Sequence, residues 1–263
     1  ISNAKYRFGL SGTLGKEDDA DTYTIKSHLG PRVNQIDPSF LFQNNFATPV
    51  FIKILYLNYR DAEFREKLSK LFYSDLRKTD PTKLLDIERR VVLEDDVRFD
   101  WLINLIKRVT KNTLVMFKDI KNNYGRRIFE TLRSQLGVEY QIYYIDGGTD
   151  SDLRSFYQEE MRKTDGVIRI LVASYGTFST GISIPNLYNL ILAESYKSEK
   201  IVKQTIGRMM RLMENKDRVN VMDIVDDFSI RKFKNYAIKH ADERIRIYQD
   251  AGYNFSCHKI NLT

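Results

Sequence analysis

The sequence predicts an α/β fold, a largely parallel sheet with helices on its faces. Three observations lead there. From residue 113 onward, short apolar runs alternate with amphipathic helical stretches, the pattern of consecutive βαβ units. The chain has 263 residues, 42% hydrophobic and 12% aromatic, enough to fill a real core. Five Pro and 13 Gly exclude collagen-like and linker-like chains. The single cysteine, Cys257, excludes a disulfide framework and a cysteine-based zinc site. No apolar run reaches the roughly 18 residues of a membrane span, and the first residues carry no signal-peptide pattern. The expectation is a protein of a reducing compartment with no membrane partner.

Tyr6, Phe8 and Leu10 alternate as one face of a strand, closed by a turn at Ser11-Gly12-Thr13. There is no initiator Met, so a strand this early suggests a chain that opens mid-fold. Residues 14–49 read as irregular, punctuated by Gly15, Gly30, Pro31, Pro38 and Pro49, with Glu17, Asp18, Asp19 and Asp21 on a solvated loop. Residues 50–57 read as a buried strand. Residues 60–78 suit a helix with Phe64, Leu68, Leu71 and Phe72 on one face. Asp80-Pro81 ends it and suits the cap and first position of a short helix. A helix over about 94–110 turns Trp101, Leu102, Leu105 and Val109 inward.

The regular part follows. Strands are expected at 113–117, 141–145, 167–172, 188–193 and 218–225. Between them lie helices at 122–136, 150–163 (capped by Thr149 or Ser151) and 199–212, with a last long helix at 231–249. No internal repeat is visible.

Candidate chemistry is sparse. The chain has no Gly-x-x-x-x-Gly-Lys-Ser/Thr loop, and Gly147-Gly148 is not a dinucleotide fingerprint. His28, His240 and His258 sit in unrelated contexts and suit structural or surface roles. Asp95-Asp96 and Asp226-Asp227 suit caps or solvated faces. The best local signal is Gln204-Thr205-Ile206-Gly207-Arg208-Met209-Met210-Arg211. On a helix, Gln204, Arg208 and Arg211 share one face, and two guanidiniums in line suit a polyphosphate. The spacing suits an ordinary basic surface helix as well. Gly207 costs about 1 kcal/mol inside a helix and suits a place where another backbone comes close. The second signal is the loop from Ser174 to Pro185, more than half of it Ser, Thr or Gly, at the carboxyl end of a buried strand. Ligands bind at that end of parallel sheets, and its hydroxyls and amides suit phosphate oxygens.

In order, these segments resemble the C-terminal half of a superfamily 2 helicase, with a further likeness to tailed-phage recombination helicases over nearly the whole chain. Arg7 to Thr13 looks like motif III at the end of the first RecA-like lobe. Leu114 to Lys118 looks like motif IV, and Gly147-Gly148 with Arg154 like motif IVa. Ser174 to Pro185 looks like motif V, with Ser183 where the family usually has an acid and one residue more than the common form. Gln204, Gly207, Arg208 and Arg211 match every fixed position of motif VI. Motifs I and II have no counterpart.

The resemblance implies a RecA-like fold, with residues 1–46 as a trailing fragment of the first lobe and 47–263 as the second. It implies an ATP-dependent DNA helicase that remodels branched recombination or replication intermediates, in the host cytoplasm if phage-encoded. ATP would lie between two lobes, with Mg2+ held mainly by the first; this chain alone should be inactive. Arg211 takes the arginine-finger role, Arg208 a second γ-phosphate contact, and Gln204 a link to motif V or the nucleotide. Gly181, Ser183 and Gly207 would line the nucleotide. Lys118, Gly148, Arg154, Ser174 and Thr177 would hold a nucleic-acid strand by its phosphates, and Ser11 and Thr13 would couple the lobes.

The net charge of +7 agrees with an anionic partner. The bases of residues 100–135 (Lys107, Arg108, Lys111, Lys118, Lys121, Arg126, Arg127, Arg133) and of 231–246 (Arg231, Lys232, Lys234, Lys239, Arg244, Arg246) suit either a strand track or solvated helix faces. The residues themselves do not separate DNA from RNA. They leave open a non-catalytic nucleic-acid-binding module, or an interaction domain with a degenerate fold.

Overall fold

The computed structural model describes residues 5–10, 20–31, 33, 38–59, 63, 66, 70, 81–178, 184–196, 198–229 and 234–262. Seven strands form one sheet: β1 (Val50–Tyr59), β2 (Thr113–Phe117), β3 (Tyr140–Ile145), β4 (Ile168–Ser174), β5 (Asn189–Leu192), β6 (Val219–Asp227) and β7 (Asn254–Leu262). Their order is β3-β4-β2-β5-β6-β1-β7, and every pairing is parallel. The expected largely parallel sheet is therefore present.

The interior strands are apolar on both faces, as a sheet covered on both sides requires. Leu114, Met116, Leu171, Ala173, Leu190 and Leu192 point into one core. Their neighbours Val115, Phe117, Ile170, Val172, Ile191 and Ala193 point into the other. The first core is covered by α6 (Ser151–Arg162), α8 (Glu199–Met209) and α9 (Tyr236–Asp250), through Met161, Ile206, Met209, Ala241 and Tyr248. The second is covered by α3 (Pro81–Glu94), α4 (Asp96–Ile106) and α5 (Tyr124–Gln135), through Val92, Leu102, Ile106, Ile128 and Leu132. The one-turn helix α7 (Tyr175–Phe178) follows β4.

Several local expectations are corrected. Residues 6–10 form no strand; Phe8 and Leu10 are fully exposed and pair with nothing among the described residues, and an unpaired strand has no ladder to hold it. Within 14–49, expected to be irregular, lie α1 (Ala20–Leu29) and α2 (Pro38–Gln43). Gly30 is a helix stop: its φ is +86° and its N–H returns to Lys26 O at 2.8 Å. Leu41 and Phe42 of α2 pack against the first core. Helix α3 opens at Pro81, as expected, but runs 14 residues. Asp150, not Thr149 or Ser151, caps α6 by accepting from Asp152 N at 2.8 Å. The expected helix at 60–78 and the caps before Pro81 lie outside the described residues apart from Glu63, Glu66 and Lys70.

Strand β7 carries no alternating apolar signal, because it is an edge strand with Ser256, Cys257, His258 and Lys259 exposed. Helix α9 begins at Tyr236, and its N-cap Asn235 makes no side-chain cap. Glu88 of α3 does that work instead, accepting from Tyr236 N at 3.0 Å and Ala237 N at 3.1 Å.

Two buried acids of β6 tie both layers to the sheet. On one side Asp223 accepts from Arg244 Nε and Nη2 of α9, both at 2.8 Å, and from the Tyr248 hydroxyl at 2.9 Å. On the other, Asp226 accepts from Arg98 Nε of α4 at 2.7 Å and from the Tyr59 hydroxyl at 2.7 Å. Asp226 is thus no cap and Arg244 no part of a solvated face. Breaking such a pair strands a buried charge. Arg98→Met should lower unfolding stability by about 3–5 kcal/mol in urea melts, and adding Asp226→Leu should restore roughly half of it. A single variant as stable as the parent would contradict the pairing.

Candidate functional site

Because all strands are parallel, their carboxyl ends share one edge of the sheet. The segments that follow β2, β3, β4 and β5 meet there around a cleft of about 350 Å3. Its lining includes Lys118, Gly147, Arg154, Ser174, Thr177 and Tyr196. Four of the five residues expected to hold a strand are thus brought together. Gly148 is the exception: Gly147 lines the cleft, and the Gly148 N–H is turned to Asp146 Oδ1 at 2.9 Å.

Each wall has a local cause. Ser174 ends β4, and its Oγ lies 2.8 Å from Thr177 Oγ1 across the turn of α7. Arg154, one turn into α6, reaches back to Gly147 O at 3.2 Å and so fixes the loop after β3. Tyr175 and Tyr196 stack with ring centroids 4.3 Å apart at 17°. The Lys118 ammonium lies 5.9 Å from the Tyr196 centroid. Burial, and then the nearby Arg89 guanidinium, hold the Lys118 ammonium below its usual pKa. An anion entering the cleft would relieve both effects. Of the bases counted over 100–135, Lys118 alone lines this cleft. Arg127 instead pairs with Asp96 at 2.6 Å, and Arg126 and Lys111 lie over Tyr144 and Tyr188.

Sequence reasoning missed the residues that build this edge. Glu194, buried after β5, accepts from Lys118 N and Asp119 N, both at 2.9 Å, and from Arg89 Nη2 at 2.8 Å. Arg98 Nη2 donates to Ala193 O at 2.7 Å, and Arg244 Nη1 to Tyr196 O at 3.0 Å. The available signal was position alone, since this loop follows the carboxyl end of a central strand.

Motif VI lies elsewhere. Helix α8 is capped by Ser198, two residues after Tyr196, and its far end meets the segment before β1, where Thr48 N donates to Met210 O at 2.8 Å. It ends at Met209, so Gln204 and Arg208 share the helix but Arg211 lies beyond it. The expected straight face through Arg211 is corrected: Met210 is the C-cap, and the chain has left the helix before the second arginine. Arg211 stays next to Arg208 all the same. Burial, and then the Arg211 charge, hold Arg208 below its usual pKa. The Gly207 position is open, with nothing among the described residues within 4 Å of where a Cβ would stand, so no close backbone is found there. An α8 of 11 residues is about 16 Å long, which keeps the arginine end apart from the cleft. Ser11, Thr13, Gly181 and Ser183 lie outside the described residues.

Residues 97–213 match the helicase conserved C-terminal domain. The whole chain is 31% identical to the ATP-dependent DNA helicase uvsW of Enterobacteria phage T4, covering 51% of that protein. It is 24% identical to "Probable helicase D10" of Escherichia phage T5, over 96% of this chain and 49% of that one. The chain thus spans about half the length of these relatives. The crystal structure of T4 UvsW superposes with a TM-score of 0.63 at 29% identity, over 82% of this chain and 42% of that one. The fold is that of a RecA-like helicase C-terminal lobe, and over its whole length the chain is similar to UvsW.

Proposed function

We propose that the chain is the second lobe of an ATP-dependent DNA helicase that acts on branched recombination or replication intermediates, with residues 1–46 trailing from a first lobe. The observation that carries this reading is the convergence of Lys118, Arg154, Ser174 and Thr177 on one cleft at the carboxyl edge. A cation, a guanidinium and two hydroxyls suit the phosphates of one strand and give little sequence preference. The stacked Tyr175–Tyr196 pair adds an apolar wall against which a sugar or base can lie.

The nucleotide is assigned to the other end of α8. Arg208 and Arg211 put two cationic forks close together, and the burial and Arg211 charge that press on Arg208 would be offset by a polyphosphate. In this reading Arg211 stabilises charge on the γ-phosphoryl group, Arg208 holds its oxygens, and Gln204 links them to motif V. Gly181, Ser183 and Gly207 line the nucleotide, and Ser11 and Thr13 couple the lobes. Mg2+ would be held mainly by the first lobe; among the described residues no group of three or more His, Cys, Asp or Glu could hold it.

The 263-residue chain should bind single-stranded DNA in fluorescence anisotropy. Lys118→Ala and Arg154→Ala should each weaken it and flatten the salt dependence by about 0.7 per contact. Tyr196→Ala should cost about 1–3 kcal/mol. Unchanged affinity in all three would remove the cleft from the strand path.

The full-length gene product should hydrolyse ATP faster with DNA, and Arg211→Ala should slow it by about 10³-fold or more. Normal turnover in that variant sinks the finger assignment. Gly207→Ala separates folding from function. It should stabilise the chain by up to about 1 kcal/mol, since the helix gains Ala and meets no clash. It should also slow turnover in the full-length product, because the added methyl faces the nucleotide; a stabilised, fully active variant would place Gly207 off that face.

A further inference from the structure

Lys216 belongs to none of the motifs, yet it is buried at the end of motif VI. After α8 the chain turns through Met213–Lys216, with Asn215 in the left-handed region at φ +60° and Lys216 N donating to Met213 O at 3.2 Å. This turn sends the Lys216 side chain back beneath the helix end. There its Nζ donates to Met209 O at 2.6 Å, to Pro185 O at 2.7 Å and to Arg211 O at 3.4 Å.

The stoichiometry is informative. An ammonium has three N–H donors, and three main-chain carbonyls receive them. Met209 supplies a carbonyl that the helix end leaves without an intrahelical partner, where a cation is also favoured by the helix dipole, and Arg211 lies just beyond the cap. Pro185 belongs to a different segment, the end of the loop that runs from Ser174. From the opposite side, Thr48 N donates to Met210 O at 2.8 Å and Thr48 Oγ1 to Arg211 O at 3.2 Å. Three successive carbonyls, 209 to 211, are therefore held by donors from two other parts of the chain. Burial pushes the Lys216 ammonium down to about 8. Only surface substitutions are tolerated freely, and a buried cation matched to its acceptors is not one of them.

We infer that Lys216 is a positioning residue for ATP hydrolysis: it clamps the main chain of Arg211 to the end of the motif V loop, with Thr48 as the second jaw. The inference rests on the reading of Arg211 as a group that acts on ATP. A finger works in the transition state, so loosening its backbone lowers kcat and leaves KM for ATP nearly unchanged. Lys216 touches no substrate in this scheme and acts through Arg211 alone.

The test uses the full-length gene product at saturating DNA, with Lys216→Met, Lys216→Arg, Thr48→Val and Arg211→Ala compared by steady-state ATP hydrolysis per folded molecule. Lys216→Met keeps an unbranched side chain one atom shorter and removes all three donors. It should lower kcat by about tenfold or more, with KM within about threefold. Lys216→Arg, which keeps charge and donors, should recover part of that loss. Thr48→Val keeps shape, removes one donor to Arg211 O, and should lower kcat by a few-fold at constant KM. It carries the test if Lys216→Met does not fold. Normal kcat in Lys216→Met, or in Thr48→Val where that variant stands alone, overturns the clamp provided Arg211→Ala is impaired. A loss explained wholly by the unfolded fraction overturns it too. Normal turnover in Arg211→Ala is a different result: it overturns the finger reading itself.

Discussion

The site edge depends on one constraint, the immobilisation of residues 193–196 by two buried arginines. Arg98 reaches Ala193 O from one layer, and Arg244 reaches Ser195 Oγ and Tyr196 O from the other. Neither guanidinium would enter an apolar layer alone. Each is neutralised by an aspartate of β6, Asp226 or Asp223, on opposite faces of the same strand. Buried ion pairs are poor evidence for net stability, because desolvation offsets most of their attraction. What such a pair does supply is geometry. An arginine fork bound to a carboxylate has few alternative orientations, so its remaining N–H groups aim at fixed points. Here those points are the carbonyls of the loop after β5.

From that loop the rest of the cleft follows. Glu194 has its carboxylate set by its backbone and gathers Lys118 N, Asp119 N and Arg89 around it. This holds the segment after β2 against the segment after β5. Tyr196, with its backbone fixed, stacks on Tyr175, whose hydroxyl returns to Glu194 O at 3.0 Å. The residues that face the cleft are thus supported by residues that do not. A phosphate-binding edge needs this, since uncoordinated lysines and hydroxyls would spend their time in water.

The sheet was legible in the sequence because its central strands are apolar on both faces, and a run such as Leu114-Val115-Met116-Phe117 has few other readings. Edge strand β7 was not, since one side of it faces solvent and its polar residues break the pattern. Helix α1 was hidden by its composition: Asp21, Thr22, Thr24 and Ser27 blur any apolar face. The cleft residues were legible through motif order, although motif spacing wrongly extended a helix through Arg211. Helical periodicity cannot say where a helix stops when no Gly or Pro marks the end. Glu194, Arg98 and Arg244 were illegible for a different reason. A charged residue reads as surface in any one-dimensional pattern, and its burial is decided by a partner more than 20 positions away.

Placing the cleft and the arginine end at the two ends of α8 constrains how they can communicate. Two stretches of chain join them. One is α8 itself, capped by Ser198 two residues after Tyr196 and ending at Met209 beside Arg208 and Arg211. The other leaves the cleft at Ser174 and Thr177 and returns at Pro185, whose carbonyl meets Lys216 beneath the end of α8. Both start at the residues proposed to hold a strand and both end at the residues proposed to hold ATP. In the proposed reading, a shift of the strand would reach Arg211 along the main chain. The sheet, locked by Asp223 and Asp226, serves as the fixed frame against which such a shift is felt. Rigid elements with a few discrete contacts at their ends are what mechanical coupling between two sites requires. In this lobe those contacts are Ser198, Thr48 and Lys216.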